Sequence, residues 1–378
     1  GMELFKTKIN GYVSYLKSEN ILSFPSRISA KFIIPDKIMT TYPKNLIKSN
    51  ELDDKNFKFK IFDIIDAPMK KEQTKVYNYK QEQIYKKEDT SSIWAAETQI
   101  SNFIYNTLEE SKNDVSLCIG EEGFKNVTTK INNNTYKFKN EDYGKRFLKE
   151  NIDMYSSKIK LILEYINQSN GPVFIFSKYL WGGLIPVLIA LEMNGYHQYK
   201  SQDKPFITNR NKSDKNNGSY VIKSGSIKTP NLQQYINKRH TMVDENVKVF
   251  LGTETAAEGL NLFGYREVHI LEPHFNFSLI EQVVGRTIRN ESHISLPHMK
   301  RNVGIYLYAA TNKNNETIDL YKYRISEHKA HKIGVIEGIM KELALDCYLN
   351  YNYNNDILKN LNVKILNSHN KIITINLN

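Results

Sequence analysis

Gln282, Gly285, Arg286 and Arg289 stand in a QxxGRxxR arrangement, Gln282-Val-Val-Gly-Arg-Thr-Ile-Arg289. On a helix, arginines three residues apart share one face. Two guanidiniums on one face can bind a polyphosphate bidentately. A solvated helix also carries RxxR pairs, so the pattern needs a companion. The segment Leu251-Gly-Thr-Glu-Thr-Ala-Ala-Glu-Gly-Leu-Asn261 supplies one. An apolar strand there runs directly into small and hydroxylated residues, and Gly259 permits tight backbone geometry. Such a strand end is the carboxyl edge of a sheet, where open α/β folds place ligands.

Hydrophobic spacing gives the elements that must position these residues. Lys158 to Ile166 is apolar at helical intervals, and Val173 to Phe176 is a short apolar run after Gly171-Pro172, as in a strand buried on both faces. A helix is predicted from there through Met193, then a polar, mobile loop over 200–218. Strands follow at Tyr220–Ile222, Val247–Leu251, Val268–Leu271 and Val303–Tyr308, with helices at Asn231–Arg239 and Leu279–Ile288 between them. This alternation argues for an α/β fold with a mostly parallel sheet sandwiched by helices. Upstream, Phe57–Ile65 reads as a strand and Lys70–Tyr85 and Ile93–Leu108 as helices. Residues 109–150, with Asn132-Asn-Asn134 and many lysines, read as a polar surface excursion. Asp319 to Leu349 reads as a long helical segment. The division is therefore an N-terminal accessory region at 1–155, a core at 156–312 and a C-terminal helical extension at 313–378.

Composition sets outer bounds. The 378 residues are 40% hydrophobic and 11% aromatic, enough for a buried core, and the net charge of +11 favours polyanionic partners such as nucleic acid. Cys118 and Cys347 are the only cysteines, so no disulfide framework or CxxC metal pattern exists, and a reducing compartment fits. Gly1 before Met2 reads as a cleavage remnant, and no signal peptide is evident. The most apolar stretch, 173–193, is broken by Ser177, Lys178, Gly182, Gly183 and Pro186, which excludes a membrane span. His328 with His331, and His293 with His298, lack further ligands at metal spacing, so no metal site is expected.

Taken together, 252–261 and 282–289 resemble motifs V and VI of superfamily 2 helicases. Val173-Phe-Ile-Phe-Ser-Lys178 resembles motif IV, and Tyr220-Val-Ile-Lys-Ser-Gly225 the strand-and-glycine element that follows it. The chain looks like a second, RecA-like motor domain. It also looks like the helicase-type ATPases of large cytoplasmic DNA viruses, a family with poxvirus, mimivirus and asfivirus members. Gly11-Tyr-Val-Ser-Tyr-Leu16, Phe24-Pro-Ser-Arg-Ile28, Gly120-Glu-Glu-Gly-Phe124, Glu272-Pro-His274, Ser292-His-Ile-Ser-Leu-Pro297, Arg301-Asn-Val303 and Lys341-Glu-Leu-Ala-Leu-Asp-Cys347 carry that likeness. Met69-Lys-Lys-Glu-Gln73 and Tyr77 are similar to the segment that precedes the second motor domain of chromatin-remodelling translocases.

The resemblance implies a division of labour. ATP with Mg²⁺ would be held mainly by a first RecA-like domain, while this one supplies arginine fingers. Arg289 would be the first finger and Arg286 its partner, with Gln282 and Gly285 beside the nucleotide and Glu258 and Gly259 at the cleft. Ser177, Lys178, Ser224, Gly225, Thr253 and Thr255 would meet the phosphates of DNA or RNA. Transcription or replication proteins would be further partners, and the place of action cytoplasmic, a viral factory or virion. One departure stands out. The sequence contains neither GxxxxGK[ST] nor a DExH or DExD run, so the chain is predicted to hold half an ATPase site and to be inactive alone. The alternative is a non-catalytic RecA-like scaffold subunit of a viral transcription or replication complex.

Overall fold

The computed structural model describes residues 1–14, 23–47, 58–86, 93–200, 204–209, 216–227, 247–254, 260–313, 315–347 and 361–377, with Thr229, Leu232 and Tyr235 between. In chain order the elements are α1 (Met2–Ile9), β1 (Ser26–Ser29), β2 (Ile64–Pro68), α2 (Lys71–Lys86), α3 (Ile93–Asn102), α4 (Gly120–Val127), β3 (Thr128–Asn132), β4 (Thr135–Phe138) and α5 (Glu141–Lys145). Then come α6 (Ser157–Gln168), β5 (Val173–Phe176), a π-helical turn (Leu180–Leu184), α7 (Ile185–Met193), β6 (His197–Gln198), β7 (Ser219–Lys223), β8 (Val247–Gly252) and β9 (Glu267–Ile270). The chain closes with α8 (Phe277–Val284), β10 (Asn302–Thr311), α9 (Ile318–Glu342), β11 (Leu361–Leu366) and β12 (Ile372–Leu377).

Among the described residues, eight strands form one sheet in the order β1-β10-β9-β5-β8-β7-β6, with β2 also pairing β10. Every pairing in it is parallel. This is the RecA-like architecture the alternation of elements predicts. The period of two along each strand sends alternate side chains to opposite faces. Val173, Ile175, Tyr220, Ile222 and Leu251 face α6 and α7 on one side. Phe174, Phe176, Val221, Phe250 and Ile270 face α8 and α9 on the other. A sheet covered on both faces favours near-continuous apolar strands, and β5 reads as an unbroken Val-Phe-Ile-Phe.

The helices start and stop for local reasons. Ser156 caps α6 by accepting from the Ile159 amide, and Thr317 caps α9 through the Leu320 amide. All nine residues of α7 are buried, so its sequence has no polar face to show. The helix predicted through Leu349 ends at Glu342.

Three sequence expectations need revision. The stretch 109–150 is no mere surface excursion, since Phe124, Phe138 and Phe147 are core residues. Phe147 stacks on Phe103 at 4.8 Å, and buried Arg146 donates to the Tyr105 carbonyl at 2.6 Å. A few aromatics among many lysines were enough to fold the segment inward. Of the loop 200–218, the described part is anchored: the Phe206 and Ile207 amides donate to the buried Glu192 carboxylate at 2.8 and 2.9 Å. Beyond α9 the antiparallel hairpin β11–β12 docks on the sheet, and the Leu366 carbonyl accepts from Arg266 at 2.9 Å and from Asn302 at 2.8 Å. The helix predicted over 231–239 lies outside the described residues except for Leu232 and Tyr235.

Candidate nucleic-acid and nucleotide site

The carboxyl ends of four adjacent strands are stitched into a row by backbone hydrogen bonds. The Leu271 amide donates to the Phe176 carbonyl at 3.0 Å, Ser177 to Gly252 at 3.3 Å and Thr253 to Lys223 at 3.3 Å. Ser177, Thr253 and Ser224 are thereby neighbours along one sheet edge, as the motif order implies. Their side chains divide differently. Ser177 is fully buried and its Oγ is bonded to the Glu272 carboxylate and the Tyr179 carbonyl. Ser224 Oγ closes its own turn, donating to Ile227 O and accepting from Ile227 N. Neither hydroxyl faces outward. Lys178 and Gly225 are exposed on the same edge, and a Cβ at Gly225 would meet open space. Thr255, Glu258 and Gly259 lie outside the described residues.

Behind the row sits a buried charge network that single-residue reading missed. Glu272, two residues past the end of β9, accepts from Asn102 Nδ2 at 2.9 Å, from Ser177 Oγ and from the Lys178 amide. Lys158 Nζ donates to Asn102 Oδ1 at 3.1 Å and Leu271 O at 2.9 Å and pairs with Asp319; both members of that pair are wholly buried. Burial pushes Glu272 above the usual carboxylate range, against Lys158 and its hydrogen-bond donors. Burial likewise pulls Lys322 below the usual amine range, with Asp319 and Glu272 opposing it. The available signal was weak: Glu272 directly follows the apolar Ile270-Leu271, while Lys158 sits between Ser157 and Ile159 with nothing to mark it as buried.

Between the ends of β5 and β9, α3, α8 and α9 lies a pocket of about 230 Å³. Trp94, Lys178, Tyr179, His274, Phe275 and Lys322 are among its walls. Burial, then the nearby Lys178, pushes His274 below the ordinary imidazole value.

The arginine motif is placed elsewhere. The helix α8 begins at the outgoing end of β9, where Asn276 caps it, and ends at Val284 with Gly285 as C-cap. Arg286 and Arg289 therefore stand in the turn after the helix, not on its face, which corrects the helical reading of 282–289. Thr287 Oγ1 bonds Val284 O at 2.8 Å and Ser292 Oγ bonds Thr287 O at 3.0 Å, closing that turn. Arg289 Nε donates to Gly285 O at 3.2 Å, which orients the guanidinium. Leu262 N donates to Arg286 O at 2.8 Å and Gly264 N to Ser292 O at 2.8 Å, so the turn is tied to the segment entering β9. Gln282 is exposed, while Arg286 and Arg289 are half-buried. The strand-end row and the arginine turn thus occupy opposite ends of α8. His293, bonded to Tyr265 O at 2.7 Å, is a core histidine that holds the turn down. Among the described residues, no group of three or more His, Cys, Asp or Glu could hold a metal ion, and no helix is long and apolar enough to cross a membrane.

Residues 157–291 match the family model described as "Helicase conserved C-terminal domain". A protein of Acanthamoeba polyphaga mimivirus, carrying the provisional name ATP-dependent RNA helicase R563, is 27% identical over 93% of this chain and 52% of its own length. A protein of Invertebrate iridescent virus 3, provisionally helicase 087L, is 26% identical over 93% of this chain and 32% of its own. The termination factor NPH-I homolog of African swine fever virus is 28% identical over 52% of this chain and 33% of its own. The chain thus spans about half, or less, of the length of these relatives. A solved structure of the C-terminal part of the Fun30 ATPase domain aligns at a TM-score of 0.44 and 13% identity, covering 80% of this chain and 90% of that one. Residues 157–291 thus resemble a helicase conserved C-terminal domain, and the proteins this chain is similar to are named as helicases and NPH-I homologs of mimivirus, iridescent virus and African swine fever virus.

Proposed function

We propose that this chain is the second motor lobe of an ATP-dependent nucleic-acid helicase or translocase, acting with a first lobe that cradles the phosphates. The observation that carries the reading is the arginine turn: two half-buried arginines, one with its guanidinium oriented by Gly285 O, in a turn whose backbone is tied to the segment that returns from motif V. Hydrolysis needs negative charge on the transferred phosphoryl group to be stabilised as it moves to water. Arg289 is assigned that task and Arg286 supports it, with Gln282, Gly285, Glu258 and Gly259 around the nucleotide. Comparable fingers contribute about 10³–10⁵ in rate. The arginines suit ATP phosphates, and Mg²⁺ is assigned to the first lobe along with the phosphate cradle. Lys178, Gly225 and the backbone near Thr253 and Thr255 are assigned to nucleic-acid phosphates, at a site of action in the cytoplasm. Partners in transcription fit the relative named as a termination factor.

The test is paired. The purified chain should show no ATP turnover above background, with or without a single strand. It should bind an oligonucleotide with affinity that falls steeply between about 50 and about 200 mM salt, and less steeply after Lys178→Ala. Turnover that Arg289→Ala abolishes would contradict the half-site. Binding indifferent to salt would sink the phosphate track.

A further inference from the structure

Phosphate contact explains an open edge of cations and amides, which Lys178 and Gly225 supply. It does not explain the recess beside them. At about 230 Å³ the recess is smaller than pockets that enclose a whole drug-sized ligand, about 300–1,000 Å³, so its occupant is a fragment the size of one base. Its walls combine aromatic rings with ammonium groups. Trp94 stacks on Tyr321 at 5.3 Å and 22°, and Phe275 meets the same ring edge-on at 6.1 Å, so both walls share one rigid backing. Lys322 also lines the recess; Thr98 holds its Nζ, 5.4 Å from the Phe275 centroid. A filler for the core would need no lysines, and a bare anion would need no indole. A flat ring with polar edges and a tethered phosphate satisfies both features. Base stacking on aromatic side chains is tolerant of sequence, and the phosphate finds its cation at the mouth.

We infer that this pocket takes one unstacked nucleotide of a single strand, its base against Trp94 and Phe275 and its phosphate at Lys178. The inference rests on reading the strand ends as a nucleic-acid track and adds a base-contacting position to it. An intact duplex, with its bases stacked inward, cannot fill the pocket, so the chain discriminates single strands from duplex.

Fluorescence anisotropy with a single-stranded oligothymidine and an all-abasic strand of equal length and charge tests this. The wild-type chain should prefer the base-carrying strand by about tenfold. Trp94→Ala should bring the ratio near one while leaving affinity for the abasic strand unchanged. Phe275→Ala, at the half-exposed wall, should do the same should Trp94→Ala fail to fold. A wild-type ratio near one, or a ratio unchanged in the folded variants, overturns the pocket assignment and leaves the phosphate track standing. Saturable binding of free thymidine monophosphate with no preference between the strands also overturns it. Failure to bind either strand sinks both readings.

Discussion

At the scale of single residues, the fold buries groups whose ordinary charge is costly where they sit. Glu97, on α3, is 3% exposed, and burial raises its carboxyl from 4.5 to about 7, with Lys80 and Lys322 opposing. The sign of the consequence follows from linkage. A carboxyl raised in the folded state favours folding when protonated, so its contribution is complete below about pH 4.5 and is lost as pH climbs through about 7. Glu97→Gln keeps the neutral shape and removes the titration. Thermal melts of both proteins from about pH 5 to about pH 8 should converge at the acid end, with the variant the more stable at the alkaline end. Parallel pH profiles would mean that Glu97 titrates as an ordinary surface carboxylate. The same logic explains why Lys322 needs Asp319 and Glu272 close by: an ammonium stays buried only where carboxylates compensate for lost water.

At the scale of elements, legibility depended on whether one period ran uninterrupted. The strands β5, β7, β8, β9 and β10 were readable because a doubly covered parallel sheet favours apolar runs, although Lys248 in β8 and Glu267 and His269 in β9 interrupt them. The end of α8 was not readable. Helical spacing of apolar residues continues to Ile288, whereas the backbone turns at Gly285, and only the Thr287 and Ser292 side-chain bonds reveal why. The hydroxyls of Ser177 and Ser224 misled in the same way: spacing placed them correctly at strand ends but could not show that Glu272 and Ile227 already hold them. The π-helical turn at 180–184 shows how tightly this edge is packed. A Cβ at Gly183 would lie 2.1 Å from Ser177 Oγ and 3.0 Å from Ser177 Cβ. Ser177 has no room to retreat, because its hydroxyl is fixed by Glu272. Gly183→Ala should therefore cost about 1–3 kcal/mol in urea denaturation and weaken oligonucleotide binding by disturbing the Lys178 amide. Wild-type stability in the variant would show that the turn relaxes freely and that Ser177 is not clamped.

At the scale of the whole molecule, the helicase-matched span is predicted not to fold by itself. Strand β10 has β9 on one side, but its other side is shared end to end by β1 and β2, which come from the first 68 residues. Buried Arg266 relies on Leu366 O from the C-terminal hairpin, and Glu267, which His269 and His369 hold well below the usual carboxylate range against the push of burial, takes one of those partners from the hairpin turn. The buried partner of Lys158 is Asp319, beyond residue 312. A fragment of 156–312 would retain every helicase motif and yet expose one edge of β10 and deprive Lys158 of Asp319 and Asn102. Losing one member of a buried pair typically costs about 3–5 kcal/mol, against a total stability of about 5–15 kcal/mol for a domain. That fragment should show no cooperative urea transition, whereas a chain spanning 1–378 should. Within the fragment, Lys158→Met should recover part of the loss, because a buried methionine needs no carboxylate. Cooperative unfolding of 156–312 at near-parental stability would mean that the flanking strands and hairpin decorate a self-sufficient core. Their residue-by-residue hydrogen bonding to β10 and Arg266 argues that they complete it.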